Sequence, residues 1–365
     1  MTDTTRSTAP RTLRERTLAH PENWFTAGTF LILLVAALKL ASAFFLPVIA
    51  SALIALLLAP PVRWLSRHRV PAGLAAAMVL AGVVVVVSAS ITTLARPAAA
   101  WLNDAPATLA VAQQKIQRLA APLYNLQRTA AKVQAATANP TPDGTRKPTK
   151  VEVATDGLLS KVPGTTVGVF GAVSTVLFLT YFLLAAGERF RAKLGDIMPE
   201  RYRRQMIDGL RDMQAQMSRY LATSALIRAS LGVAVWGSLK LIGLPNPALW
   251  GVVAAVLNFI PYLGSFAALL VIGVAALVFF PTTDRVLYCV GAVFVIGIIE
   301  GNVVTPMLLG QRLPLNVVAI FIGLLFWGWI WGITGAVLAV PLTVLIKVIC
   351  DRVKPLEPLG VLLGS

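Results

Sequence analysis

The sequence predicts an all-α, polytopic helical membrane protein, and two observations support this fold class. Of its 365 residues 57% are hydrophobic and only 13% are charged, whereas soluble domains average about 45–50% apolar and about 25% charged residues. Several apolar runs also reach the roughly 20 residues that a helix needs to cross about 30 Å of hydrocarbon. Lipid cannot satisfy backbone polar groups, so spanning segments are helices or closed barrels, and runs of this length favour helices. The number of apolar runs predicts about seven to eight spanning helices, plus short broken or re-entrant helical hairpins.

The first part of the chain is predicted to form a cytoplasmic tail and three membrane helices. Residues 1–23 are polar and carry four arginines. Residues 24–95 contain three long apolar segments. Residues 96–161 are too polar to span, because leucines at near-helical spacing are followed by a Pro/Thr-rich stretch. We expect this segment to be extracytoplasmic, with amphipathic helix followed by a flexible linker.

Residues 162–350 are predicted to form the main transmembrane region, followed by a cytoplasmic tail over 351–365. Between residues 187 and 219 the chain holds eight Lys or Arg and five acidic residues. Within this stretch, apolar residues of segment 200–219 recur at helical spacing. The pattern favours a cytoplasmic interfacial helix that feeds the next span. An ordinary soluble amphipathic helix is the alternative.

Two apolar stretches are interpreted as helical hairpins. The first covers 246–280, where the leading apolar piece is only about 20 Å long as a helix, with "NFIPYLGS" (258–265) at its tip. The second covers 315–349 and is predicted to turn at "WGITG" (331–335). Non-helical backbone at such tips is tolerated only when it is buried in protein or faces a water-filled cavity. The hairpins therefore point to a transported solute.

Basic residues set the predicted orientation, which places both termini in the cytoplasm. The short loops assigned to the outside then contain only Arg285, while the arginine-rich segments lie inside. Residues 96–161 add nine positive charges outside, but segments of this length translocate largely regardless of charge. The basic residues that give the net charge of +16 lie beside apolar runs. Their position therefore favours contact with anionic lipid headgroups over nucleic acid.

Glu300 is the leading candidate for chemistry, because an ionised carboxylate at a helix centre costs at least about 2.5 kcal/mol on insertion scales. Asn302 and Pro306 follow it, and Pro306 leaves backbone carbonyls of the previous turn available to a cation or solute. Arg228 lies at a similar depth in its own span, about 13 Å from the cytoplasmic end. Asn258, at the first hairpin tip, is expected to converge on the same site.

Three interpretations of Glu300 remain open at this point. The carboxylate is part of a coupling or substrate site, a structural ion pair with Arg228, or a group at a subunit interface. Glycines spaced four residues apart, Gly297 with Gly301 and Gly328 with Gly332, are typical of close helix packing. The aromatic run "FWGWIW", with Trp327 and Trp331 and followed by Pro341, predicts either a wall that stacks on a ring-shaped solute or an interfacial belt.

Several classes of function have no signature in the sequence. P-loop, HExxH and GxSxG motifs are absent, so we expect no enzyme and no ATP binding through a P-loop. Cys289 and Cys350 lie in separate apolar segments, and the two histidines are remote from them. We therefore expect no metal site, disulfide framework or cofactor.

Four stretches together resemble the autoinducer-2 exporter family of predicted permeases. They are "LPVIASALIALLLAPPVRWL", "GLPNPALWGVVAAVLNFIPYLGS", "IEGNVVTPMLLGQRLPLN" and "LLFWGWIWGITGAVLAVPLT", and "LFWGWIWG" is similar to the exporter branch. Asn316 stands where many members have His or Pro. The family's Pro-x-x-Gly turn and its Glu-x-Asn-x-x-x-Pro-x-x-x-Gly pattern fall on Pro261 and Gly264, and on Glu300, Asn302, Pro306 and Gly310.

The resemblance implies a multi-pass transporter of the bacterial inner membrane that associates into homo-oligomers. It also implies export of an autoinducer-2-like signal or, in some members, sodium/proton antiport. We therefore expect a secondary transporter that exports a small polar organic molecule, driven by a proton or sodium gradient. The first alternative is a monovalent cation/proton antiporter that uses the same carboxylate. The second is a membrane scaffold or receptor that acts through residues 96–161.

Overall fold

The structure is a computed structural model that describes most of the chain. It describes residues 21–103, 114–115, 117, 166–197, 200–309, 315–351 and 357–364. Within these ranges the chain is helical with short turns and contains no strand. The predicted all-α fold class is thus confirmed. Most of the predicted tail 1–23 and of the segment 96–161 lies outside the described residues.

The helices follow the apolar segments of the sequence. In chain order they are α1 (Pro21–Leu40), α2 (Ser42–Arg67), α3 (Ala72–Asn103), α4 (Thr166–Ile197), α5 (Glu200–Ile242), α6 (Pro247–Leu257), α7 (Leu263–Phe279), α8 (Thr283–Ile299), a π-helical turn (Glu300–Val304), α9 (Thr305–Leu309), α10 (Val317–Cys350) and α11 (Glu357–Leu363). Among the described residues, six helical stretches are long and apolar enough to cross a membrane, judged by length and composition. They lie in α2, α3, α4, α5, α8–α9 and α10.

The first hairpin consists of α6 and α7, which reverse direction through residues 258–262. At 11 residues, α6 is about 16 Å long and too short to cross 30 Å of hydrocarbon alone. Gly264 is essential to the turn, since a Cβ there would collide with the carbonyl oxygen of Leu257. Tyr262 has a φ of 61°, which is strained for a residue with a side chain. The hairpin predicted over 246–280 is confirmed.

The second hairpin lies within α10, where the helix breaks at Gly332. This glycine has φ 62° and ψ −142°, a conformation that other residues rarely adopt. Beyond it the chain folds back, because Gly323 abuts the side chain of Thr343 and Gly335 abuts the carbonyl of Trp327. The predicted turn within 331–335 is confirmed. Its arms are about 22 Å and 27 Å long, so one of the six long helices is folded in two.

Packing against α1, α2 and α5 fixes the direction of the second hairpin. Near the turn, a cluster with Trp327 and Trp331 packs on Val35, Leu38 and Phe45. Near the open end, a different cluster joins Leu315, Val344 and Val348 to Leu56 and Met217. That end lies beside the contact between Arg63 Nη2 and Ser218 Oγ (3.2 Å). With the predicted orientation, the hairpin opens to the cytoplasm and turns near the outer surface.

The short helix α11 closes the open end of the second hairpin. The backbone N–H of Asn316, which caps the first arm, donates to the carbonyl of Leu363 (3.0 Å). Leu363 also packs against the cluster around Met217. At the end of the second arm, Gly360 abuts Asp351, whose carboxylate pairs with Lys347 (2.6 Å). Both arms of the hairpin are therefore held by the same seven-residue helix.

One described residue of the predicted extracytoplasmic segment holds the outer end of the first hairpin. Lys115 Nζ donates to the carbonyls of Leu277 (2.6 Å) and Phe280 (2.8 Å). A cation at the C-terminus of a helix satisfies carbonyls that lack an intrahelical donor and is favoured by the helix dipole. Lys115 thus caps α7.

Candidate functional site

The candidate site begins where α8 changes its hydrogen-bond register at Glu300. Pro306 has no N–H, and its ring would clash with the carbonyl four residues earlier in a regular α-helix. The chain avoids this by one π-helical turn, in which the N–H of Thr305 donates to the carbonyl of Glu300. Single π turns inside α-helices are frequent at functional sites.

Glu300 is paired in the interior of the protein. Arg228 of α5 donates from Nη1 to Oε1 of Glu300 at 2.5 Å. Thr305 donates from Oγ1 to the same oxygen at 2.7 Å. Glu300 is only 8% exposed, and the side chains of Arg228 and Glu300 are 22% and 11% exposed. The pair neutralises two charges that would each be costly in a membrane.

The tip of the first hairpin lies at the same level as this ion pair. Gly232 of α5 and Gly251 of α6 pack backbone to backbone, and a Cβ on Gly232 would lie 2.8 Å from that of Ala255. Because α5 and α6 are antiparallel, about one further turn leads from Gly232 to Arg228 on α5 and from Ala255 to Asn258 on α6. Arg228, Glu300 and Asn258 thus lie at a similar depth along their helices, as predicted.

Asn258 braces the hairpin tip instead of bonding the ion pair. Its Nδ2 donates to the carbonyl of Ala254 (2.8 Å), and its Oδ1 accepts from Ser265 Oγ (2.5 Å). It is only 6% exposed. No hydrogen bond joins Asn258 to Arg228 or Glu300 in the part of the chain that the structure describes. The amide links α6 to α7 across the turn and so fixes the shape of the tip.

The two hairpins touch through their aromatic residues. The ring of Tyr262, which follows Pro261, stacks on Phe321 with centroids 5.2 Å apart and an interplanar angle of 13°. Ile260 packs against the cluster that contains Trp327 and Trp331. A shift of the tip of the first hairpin would therefore disturb the arms of the second.

Trp327 and Trp331 are buried within protein, each 7% exposed. Trp331 Nε1 donates to the carbonyl of Leu38 (3.0 Å), which fastens the second hairpin to α1. This burial differs from an interfacial belt; Trp329, which is 62% exposed, lies against Lys39 Nζ at 4.0 Å. Pro341 lies inside the second arm.

Asn302 and Pro306 follow Glu300 in the chain, and neither bonds its carboxylate among the described residues. Asn302 is exposed, and its Nδ2 donates to the carbonyl of Ile298 (3.0 Å). Pro306 acts through the backbone. In the π register, the carbonyl of Gly301 would receive its bond from residue 306, which has no N–H to give.

The expectation that Gly297 and Gly301 mediate close helix packing was wrong within the single chain. A Cβ on Gly297 or Gly301 would have no described atom within 4 Å, so this glycine pair does not mediate close packing between helices of one molecule. Gly332 of the second pair is the turn of α10. Sequence reasoning also missed the π turn and the bond from Thr305. The available signal was Pro306 itself, because a proline inside a helix removes a backbone donor and has to be accommodated by a kink, a break or a change of register.

Among the described residues, no group of three or more His, Cys, Asp or Glu could hold a metal ion. The polar residues of the site are an acid, an arginine, a hydroxyl and amides. This set suits binding of a proton, a monovalent cation or a polar organic solute.

The membership of the chain in a family follows from one match. The model described as "AI-2E family transporter" matches residues 29–354. The chain belongs to the AI-2E transporter family. The matched region includes both hairpins, Arg228 and Glu300, and it confirms the resemblance seen in the sequence motifs.

Several transport proteins are similar to the chain in sequence. A putative transport protein of Borreliella burgdorferi is 34% identical over 200 residues, which cover 54% of this chain and 55% of the relative. The putative transport protein YhhT of Escherichia coli K12 is 32% identical over 59% of this chain and 60% of its own length. The AI-2 transport protein TqsA of Escherichia coli K12 is 26% identical over 92% of this chain and 93% of its own length.

The family and the six apolar helices together indicate a multi-pass membrane protein, consistent with the bacterial inner membrane. Because these relatives are named as transport proteins, the comparison supports a membrane transport role. It is also consistent with a protein that is not an enzyme.

Proposed function

We propose that this AI-2E family member is a secondary transporter that exports a small polar organic molecule, driven by a proton or sodium gradient. The observation that carries the proposal is the ion pair of Arg228 and Glu300 at the level of a re-entrant hairpin tip. TqsA is an AI-2 transport protein, so an autoinducer-2-like signal is the first solute to test. Transport is assigned to residues 162–350, with residues 24–95 as their support.

The ion pair supplies a mechanism for coupling. When Glu300 is ionised, its Oε1 holds the guanidinium of Arg228. A solute that donates a hydroxyl to Oε2 of the ionised carboxylate competes there with the proton or sodium ion. Protonation removes this acceptor and weakens the hold on Arg228, so the solute is released; loss of the proton restores both. Proton and solute therefore bind in turn, which is the condition that export in exchange for an inward-moving proton requires.

The decisive experiment compares Glu300→Gln with the wild type in proteoliposomes under an imposed pH gradient. Glutamine keeps the size of the side chain but does not ionise. We expect gradient-driven flux to fall at least about tenfold, the equivalent of one charged hydrogen bond, while the protein stays folded and inserted. Asp284→Asn, an exposed acid in the first turn of α8, is the matched control and should retain flux. Undiminished flux in Glu300→Gln would reject the coupling role.

A monovalent cation/proton antiporter is the second candidate, and the free oxygen of Glu300 favours it. Oε1 accepts both bonds to this carboxylate, and no described residue bonds Oε2. A carboxylate oxygen with open acceptor positions suits a cation. Proteoliposomes loaded with a pH-sensitive dye distinguish the two functions. Sodium-driven proton movement without organic solute supports the antiporter.

Association of several copies and contact with anionic lipids, which the resemblance and the charge pattern imply, belong to the same proposal. Native mass spectrometry of the protein released from lipid nanodiscs would count the copies. Flux compared between neutral and anionic vesicles would test the lipid contact.

A further inference from the structure

We infer that Thr305 is a positioning residue that assigns different tasks to the two oxygens of Glu300. Its hydroxyl keeps Oε1 on Arg228 and leaves Oε2 to receive the proton or ion. The inference rests on the proposed coupling role of Glu300 and adds the residue that controls it.

The hydrogen bonds around Glu300 are strongly asymmetric. Oε1 accepts from Arg228 at 2.5 Å and from Thr305 at 2.7 Å. A carboxylate offers about two acceptor positions on each oxygen, so Oε1 is filled. Within the described residues Oε2 has no hydrogen-bond donor, although the Glu300 side chain retains 11% exposure. An incoming proton or cation therefore meets Oε2.

The π turn is what brings Thr305 to the carboxylate. In a regular α-helix, residues five apart lie about 140° apart around the axis, and their side chains diverge. In a π turn, the residue five positions later lies next to the first and donates its N–H to it. Thr305 thus makes two bonds to Glu300, from its N–H to the carbonyl and from its hydroxyl to the carboxylate. Pro306, which disfavours the regular register, acts on the carboxylate through Thr305.

This arrangement gives Thr305 a role throughout the cycle. When a proton binds Oε2, the ion pair weakens and Arg228 is free to leave. The hydroxyl of Thr305 can still donate to Oε1, so Glu300 keeps its rotamer while Arg228 is engaged elsewhere. Loss of the proton then restores a carboxylate that already points at the guanidinium. Arg228 from α5 is the charged partner recorded for Glu300 among the described residues.

The test compares Thr305→Val, which removes only the hydroxyl, with Thr305→Ser, which retains it. In proteoliposomes, Thr305→Val should raise the KM for the coupling ion roughly 10- to 100-fold, the effect of one hydrogen bond to a charged group. Thr305→Ser should restore a value near that of the wild type. Thr175→Val removes an exposed hydroxyl that, among the described residues, bonds the carbonyl of Gly171 within its own helix and serves as the matched control.

A readout that does not depend on transport separates this inference from the proposed function. The infrared carboxylate band of Glu300 is isolated by subtracting the spectrum of Glu300→Gln. It should shift in Thr305→Val and stay in place in Thr305→Ser. If the band and the KM are unchanged in Thr305→Val, the inference is overturned even where Glu300→Gln has lost its flux. If Glu300→Gln transports normally but the band shifts, positioning holds and the coupling role fails.

Discussion

Arg228 and Glu300 are 72 positions apart in sequence, and the structure joins them by one short hydrogen-bonded contact. Each charge alone would be expensive at this depth. Together they form a neutral unit in which each charge stabilises the other. The pair therefore explains how α5 and α8 tolerate charged residues.

Charge reversal tests whether this pair is only structural. Arg228→Glu and Glu300→Arg should each lower the free energy of unfolding by about 1.5–3 kcal/mol through the lost charged hydrogen bond. The double variant should regain stability, because the opposite charges meet again. Thermal unfolding in detergent measures this effect. If the coupling role holds, the double variant regains stability but not flux. If flux also recovers, the pair has only a structural role.

At the residue scale, the sequence identified the ion pair but not its local geometry. Arg228 and Glu300 were matched by counting residues from the ends of their spans, and a regular rise per residue makes that count dependable. The hydrogen bond from Thr305 was missed because Pro306 was interpreted only as a source of free carbonyls. A helix accommodates a proline by a kink, a break or a π turn, and the packing around the proline selects among these responses.

The two hairpins differ in how they turn. The first turns through five residues outside regular helix, whereas the second turns at Gly332 alone. Both rely on a glycine at which a side chain would strike the backbone or strain it. The length of the apolar pieces and the Pro and Gly residues predicted the hairpins. Their contact through Tyr262 and Phe321 was not predictable, because it depends on tertiary packing.

Gly264→Ala should disrupt the tip of the first hairpin. The added methyl group would collide with the carbonyl of Leu257, which is backbone and cannot swing away. We expect a loss of about 1–3 kcal/mol in stability, the usual range for overpacking, together with loss of flux. Gly291→Ala is the control, since its methyl group would meet no described atom within 4 Å. Equal melting temperatures of the two variants would contradict the close approach.

The whole molecule has a packed centre and a lipid-facing periphery. In the most apolar stretch of each long helix, 44% of the residues are buried in α10 but only 11% in α3 and 6% in α4. Large apolar side chains such as Ile32 and Phe170 are 70% and 74% exposed, as expected for a surface in contact with lipid. The second hairpin is therefore the most buried of the long helices, whereas the tip of the first keeps an exposed side at Tyr262, which is 54% exposed.

Helix α11 is predicted to hold the open end of the second hairpin. Leu363→Ala removes a partly buried side chain from the cluster around Met217 and should cost about 1–2 kcal/mol, below the 2–5 kcal/mol of a fully buried leucine. Leu362→Ala, at a position that is 73% exposed, should be neutral. Melting temperatures of the two variants in detergent make the comparison. A larger loss for Leu362→Ala would show that the helix docks through another face.

At this scale the sequence predicted the class of protein and its family but not the assembly of its helices. The apolar runs and the positions of arginines are local features, and each has a direct physical meaning in a bilayer. Which helices become neighbours depends on small residues and polar contacts. The approach of Gly232 to Gly251 and the fastening of Trp331 to Leu38 became evident only in the folded chain.

The distance along the chain between Arg228 and Glu300 also constrains how the protein is made. A ribosome that adds about 5–20 residues per second needs roughly 4–14 s to proceed from one to the other. During that interval the guanidinium enters the translocon without its carboxylate. The nascent α5 must therefore wait in a hydrated or interfacial position, and it can settle fully only after α8 has been synthesised.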